Sequence, residues 1–221
     1  MRNDDEAPGR FEIHVGFPDE EQATFDRFMG LDPRWAPMTF GQVWRNKAVA
    51  RHEAHDVPGG IRYLATATAS TFGDAVEMLK VAHRAIGPNP LVRAEIERAL
   101  SCPRGRLLNL LATTSPPSPE DGLVWVDDLP AWESHIGIRS ADGGALPHRA
   151  LGSLMASGDC RFNELALATD EKKAIFTIFW RDAETMFART PRIAEDLRDT
   201  FSFAPVVKIS MEEIVVCAKF G

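Results

Sequence analysis

The sequence predicts an α+β fold: a tandem duplication of a ferredoxin-like βαββαβ unit, with antiparallel sheets that carry helices on one face. Three observations predict it. The heptad "FEIHVGF" at residues 11–17 returns as "WESHIGI" at 132–138, matching Glu12 to Glu133, His14 to His135 and Gly16 to Gly137. A similar order of strand and helix patterns follows each copy, and a proline-rich stretch separates them. The expected organisation is a disordered tail over 1–10, a first repeat over 11–100, a connector over 101–131 and a second repeat over 132–221.

In the first copy, "FEIHVGF" alternates. Phe11, Ile13, Val15 and Phe17 face one way and Glu12, His14 and Gly16 the other, as in a strand with one buried face. Pro18 stops it, and "DEEQATFDRFMG" predicts a helix whose acidic first turn suits the helix dipole. "MTFGQVW" and "IRYLATATAS" predict strands. "TFGDAVEMLKVAHRAIG" predicts a helix capped by Thr71 with Asp74 and ended by Gly87 and Pro88. In "LVRAEIERAL", Val92, Ala94 and Ile96 alternate with Arg93, Glu95 and Glu97, which predicts a closing strand.

The second copy opens on "WESHIGI". "PHRALGSLMAS" predicts a helix with Pro147 at its start. "RFNELALATDEKKAIFTIFWRD" predicts a hairpin turning near 170–172. The helix "AETMFARTPRIAEDLRDTF" is expected to kink or break at Pro191. "VVKISMEEIVVCAKF" predicts one long strand or two. In the connector, "RLLNLLA" and "LVWV" are apolar enough to pack on a repeat or along the seam.

An apolar content of 44% with 26% charged residues in 221 positions fits one large or two small globular domains. A net charge of −7, without any run of Lys or Arg, argues against nucleic acid as a partner. No apolar run approaches the ~20 residues of a membrane span, so no membrane partner is expected. "MRNDDEAPGR" lacks the apolar core of a secretory signal, and Cys102, Cys160 and Cys217 form no CxxC. Free thiols in a reducing compartment, and a cytoplasmic location, are the expectations.

Beyond the heptads, the pieces "ATATAS", "VRAEIE", "IFTIF" and "VVKISMEEIVVCAK" extend the pattern. With them the chain resembles a little-characterised group of two-repeat proteins, mostly bacterial, whose copies open on EIH and on an aromatic-E-x-H-I. The resemblance spans most of 11–220. Cys217-Ala218 depart from it, standing where the group has an aromatic and an Asp. The group has no established activity, so the resemblance implies no catalytic residues.

His14 and His135 are the candidate catalytic residues. Two histidines on equivalent strands resemble the two-histidine phosphoesterases, in which one imidazole takes a proton and the other gives one. In those enzymes an H-x-T/S hydroxyl holds the phosphate; here Gly16 and Gly137 stand at those places. Glu12, His14, Glu133 and His135 are also acceptable metal ligands, since alternate strand residues share a face. "HIGIR" near a domain start resembles the vicinal-oxygen-chelate enzymes, whose βαβββ order differs from the one read here. "HEAHD" at 52–56 offers His52, His55 and Asp56, in a stretch that reads as a solvated loop. His83 and His148 read as surface helix residues, and the five tryptophans as core or interface.

The alternative to chemistry is packing: a His bonded to a Glu at a buried seam satisfies both groups. That reading makes Glu12, His14, Glu133 and His135 binding residues of a non-catalytic ligand- or protein-binding module that uses the pseudo-symmetric sheet surface. The competing reading is a hydrolase, phosphoesterase or metal-dependent enzyme centred on His14 and His135. Whether the protein is an enzyme stays open at this point. No metal and no cofactor are expected. The expected partners are a small ligand or a protein, with a homodimer as one form.

Overall fold

A computed structural model describes residues 11–45, 61–100, 122–125, 132–156, 162–201 and 205–221. The expected tail, most of the connector, His52, His55, Asp56, Cys102 and Cys160 lie outside the described residues.

The first half runs β1 (Phe11–Phe17), α1 (Gln22–Met29), β2 (Ala36–Arg45), β3 (Tyr63–Ala69), α2 (Phe72–Ile86) and β4 (Asn89–Ala99). A single 3₁₀ turn, Asp19–Glu21, leads into α1. The short β5 (Leu123–Trp125) follows. The second half runs β6 (Trp132–Arg139), α3 (His148–Ala156), β7 (Glu164–Ala168), β8 (Lys173–Trp180), α4 (Ala183–Thr200) and β9 (Val206–Phe220).

Local chemistry accounts for these elements. Thr71 caps α2 by accepting from the Asp74 N–H at 3.1 Å, and Asp182 caps α4 by accepting from the Thr185 N–H at 2.7 Å. Gly87, with φ of 80°, turns the chain out of α2. Pro191 lies inside α4, which nevertheless runs unbroken for 18 residues; the expected break is absent.

The strands pair antiparallel in the order β4-β1-β3-β2-β7-β8-β6-β9, and β9 pairs back onto β4. That last pairing closes an eight-stranded barrel. The predicted fold class, tandem ferredoxin-like units with open antiparallel sheets, is corrected by this closure. The edges that two open sheets would expose are paired instead, β2 with β7 and β4 with β9. Each seam saturates backbone N–H and C=O groups that an edge would leave bare.

Two apolar cores lie outside the barrel, beneath the helices. The first joins Phe11, Ile13, Val15 and Phe17 of β1 to Phe25 and Phe28 of α1 and to Val76 and Leu79 of α2. The second joins Ile136 and Ile138 of β6 to Leu151 of α3 and to Met186 and Leu197 of α4. Burying each large side chain contributes roughly 1.5–3 kcal/mol. With the apolar faces of β1 and β6 turned outward to the helices, their Glu and His side chains point into the lumen.

β9 serves both halves. It pairs β6 through Val206–Glu213 and β4 through Glu212–Phe220. Opposite Ile96 and Glu97 stand Val216 and Ile214, so Val215 is an extra residue and the strand bulges. The bulge exchanges the two faces. Val216, Ala218 and Phe220 join the first core, whereas Ile214 and Glu212 share the opposite, luminal face. Arg98 of β4 and Glu213 of β9 form an ion pair across this seam.

His83 corrects its surface reading. It is buried, with its ring edge-on to Phe220 at 5.1 Å. His148 stands at the start of α3, 3.1 Å from Glu171 and edge-on to Trp44. Trp35 and Trp180 are buried in the two cores.

Candidate functional site in the barrel lumen

β1 sits between β3 and β4, and β6 sits between β8 and β9, so the repeated heptads hold equivalent places in the barrel. Their inward residues meet. In the first half Glu12 lies opposite Glu97 of β4; in the second, Glu133 lies opposite Glu212 of β9. His14 faces Glu95 and Thr66, and His135 faces Ser210 and Thr177. The lumen thus collects two histidines and a set of carboxylates within one closed barrel.

The two histidines have different surroundings. His135 Nδ1 is 3.0 Å from Thr177 Oγ1. Its Nε2 lies 2.9 Å from Glu133 Oε1 and 3.2 Å from Glu212 Oε2. His14 Nδ1 lies 3.3 Å from Glu97 Oε1, and its Nε2 lies 3.8 Å from Glu12 Oε2. One group of potential ligand atoms comes from Glu97, Glu133, His135 and Glu212, all within 4.8 Å of one another; a second comes from His14, Glu95 and Glu97.

Electrostatics follows from burial and pairing. Burial disfavours the His135 imidazolium, but Glu133 and Glu212 outweigh it and hold its pKa well above the ordinary value. Burial likewise opposes the His14 imidazolium, and Glu12 with other nearby carboxylates raises its pKa. His14 beside it lowers the Glu12 pKa. Glu133 and Glu212 pay for burial, yet His135 beside them brings both below the carboxylate range. Glu97 is pushed well up, by burial first and then by Glu133 and Glu212.

Beside the cluster opens a cavity of about 130 Å³. Phe40, Ile61, Leu64 and Phe179 supply its apolar wall, and His14, Glu97, Glu133 and His135 its polar wall. Gly16 belongs to this lining. The space beside Gly16 is filled by the Ile61 side chain, and Gly137 meets Lys208 Cβ.

These positions correct the functional expectation. Among the described residues the expected open sheet surface is not found, because helices cover the outer face of the sheet and barrel closure encloses its inner one. The hydrolase, phosphoesterase or metal enzyme centred on His14 and His135 together is corrected too. The imidazoles fall into different ligand groups, and a phosphate between them would meet the carboxylates of Glu97, Glu133 and Glu212.

Glu12, His14, Glu133 and His135 are therefore brought together, and sequence reasoning missed Glu97, Glu212 and Thr177. A signal for Glu97 was present in the alternation of Arg93, Glu95 and Glu97 along the closing strand. Glu212 gave no comparable signal, because the bulge decides which way it faces.

No protein-family model matches the chain, and no curated protein matches it. Among solved structures, it is similar to a "putative monooxygenase" from Lactobacillus acidophilus NCFM, at 9% identity over 97% of each chain and a TM-score of 0.30. It is also similar to an anthrone oxidase-like protein, at 10% identity, over 98% of this chain and 95% of that one, with a TM-score of 0.29. Likenesses this slight carry no argument about function. Among the described residues no helix is long and apolar enough to cross a membrane.

Proposed function

We propose that this protein binds one small organic molecule inside its barrel. The observation that carries the reading is the luminal cavity of about 130 Å³, apolar on one wall and acid–histidine on the other. Eight strands leave an interior that side chains fill or that holds one small ligand. A buried apolar cavity of roughly 150 Å³ accepts benzene, so this volume suits about one ring. Phe40, Ile61, Leu64 and Phe179 would cover the ligand's body. The polar wall would take a neutral hydroxyl, which can donate to a carboxylate. A carboxylate-bearing ligand would meet Glu95, Glu97, Glu133 and Glu164 as well as Arg93, His14 and His135, and the four acidic groups weigh against it.

The experiment is a titration of the full chain with phenol and with benzoate, followed by NMR or calorimetry. Saturable binding of phenol and weaker binding of benzoate are expected. Ala166 lines the cavity, so Ala166→Leu is expected to abolish phenol binding while the fold remains. Benzoate binding as tightly as phenol, or undiminished phenol binding by folded A166L, would overturn the reading.

A further inference from the structure

We propose that Glu97, Glu133, His135 and Glu212 form a binding site for one divalent transition metal ion of the manganese or iron(II) type. The four residues come from β4, β6 and β9 and offer three oxygens and one imidazole nitrogen within 4.8 Å of one another. Metal–ligand bonds of about 2.0–2.2 Å place opposite donors up to about 4.4 Å apart, so small side-chain rotations suffice. Carboxylates with one imidazole suit manganese and iron better than the thiolate-seeking metals.

A second observation points to a missing cation. Glu97 is 0% exposed, and neither of its carboxylate oxygens accepts a hydrogen bond. Glu212 is 1% exposed, and its Oε2 has the ion-pair contact to His135 Nε2 at 3.2 Å but no well-formed hydrogen bond. A buried carboxylate left this way is expensive. A dication held by the cluster supplies a positive partner to the Glu97 carboxylate, whose oxygens accept no hydrogen bond.

The surroundings suit a metal site in two further respects. The Thr177 hydroxyl engages His135 Nδ1 and leaves Nε2 aimed at the cluster, as an outer hydrogen bond orients a metal-bound imidazole. Glu97, Glu133 and His135 also line the cavity, so an ion held by them would border that space. His14 stands 3.3 Å from Glu97 as a neighbouring positive group rather than a member of the set.

The test strips the full chain with a chelator and titrates it with Mn²⁺ alone, by calorimetry and by the electron paramagnetic resonance of free Mn²⁺. One ion per chain is expected, with protons released on binding. Thr177→Val is expected to weaken affinity about 10–100-fold, and Glu97→Gln to weaken it at least as much, with circular dichroism unchanged. Should E97Q fail to fold, T177V decides. A folded wild type that takes up no Mn²⁺, or folded variants that bind as wild type does, would overturn the inference. Organic ligand plays no part in this titration, so its failure and the failure of phenol binding are read separately.

Discussion

Glu133 and Glu212 lie directly opposite each other on β6 and β9, both inside the barrel and both almost wholly buried. Like charges so placed repel. His135 Nε2, at 2.9 and 3.2 Å from them, is the group that makes the pairing tolerable in the metal-free protein. His135→Ala removes it and strands two buried carboxylates, so a loss of about 3–5 kcal/mol is expected. Urea denaturation of the chelator-treated variant measures this; a loss below about 1 kcal/mol would mean that another cation already serves the pair.

The same groups set how metal-free stability varies with pH. The His135 pKa is raised, so its contribution is fully present below the unfolded value near 6.5 and is lost as pH rises through the folded value. Glu133 and Glu212 are held low, so theirs is present above the unfolded value near 4.5 and is lost on acidification. The raised pKa of Glu97 makes stability fall as pH climbs above 4.5. Stability of the metal-free protein is therefore expected to be greatest between about pH 4.5 and 6.5. Glu97→Gln, which keeps the shape of the protonated carboxyl, should raise the melting temperature at alkaline pH. Melting curves at several pH values check both, and a flat profile would contradict them.

Ser134 points away from the lumen between Glu133 and His135. Its Oγ lies 2.9 Å from Trp180 Nε1, which donates to it, and 3.1 Å from the Thr190 hydroxyl of α4. Ser134→Ala leaves both donors buried without that acceptor. A cost of about 1–3 kcal/mol is expected, measured as a shift in the urea midpoint. Because this anchor seats the strand that bears both site residues, Mn²⁺ affinity should fall as well.

Gly16 leaves little room for a side chain. A Cβ there would lie 2.7 Å from Ile61 Cδ1, the free end of a flexible side chain. Gly16→Ala should fold, at a cost of about 1–3 kcal/mol, with Ile61 pushed into the cavity. Loss of phenol binding with Mn²⁺ binding kept is the expected pattern, and calorimetry with each probe separates the two.

The elements were legible from local chemistry. The alternation in "FEIHVGF" and "WESHIGI" marks two strands and their inward residues, and the Thr71 cap with Gly87 brackets α2. The repeat also names Glu12, His14, Glu133 and His135, which do come together. Pro191 does not break α4, because the packing of Met186, Ile193 and Leu197 on both sides of it outweighs the proline's local cost.

By itself the sequence determined the order of elements, which face of each heptad strand is apolar, and the duplication of the Glu-x-His motif. Those properties are local: a period of two or 3.6 residues and a capping side chain act within a few positions. Only the tertiary structure decided that the sheets close into one barrel, and that Glu97 and Glu212 join the motif. Closure depends on pairing β2 with β7 and β4 with β9, far apart in the chain. The facing of Glu212 depends on one extra residue, Val215, in a strand shared by both halves. Alternation within a strand cannot reveal either, because register and bulges are settled between strands.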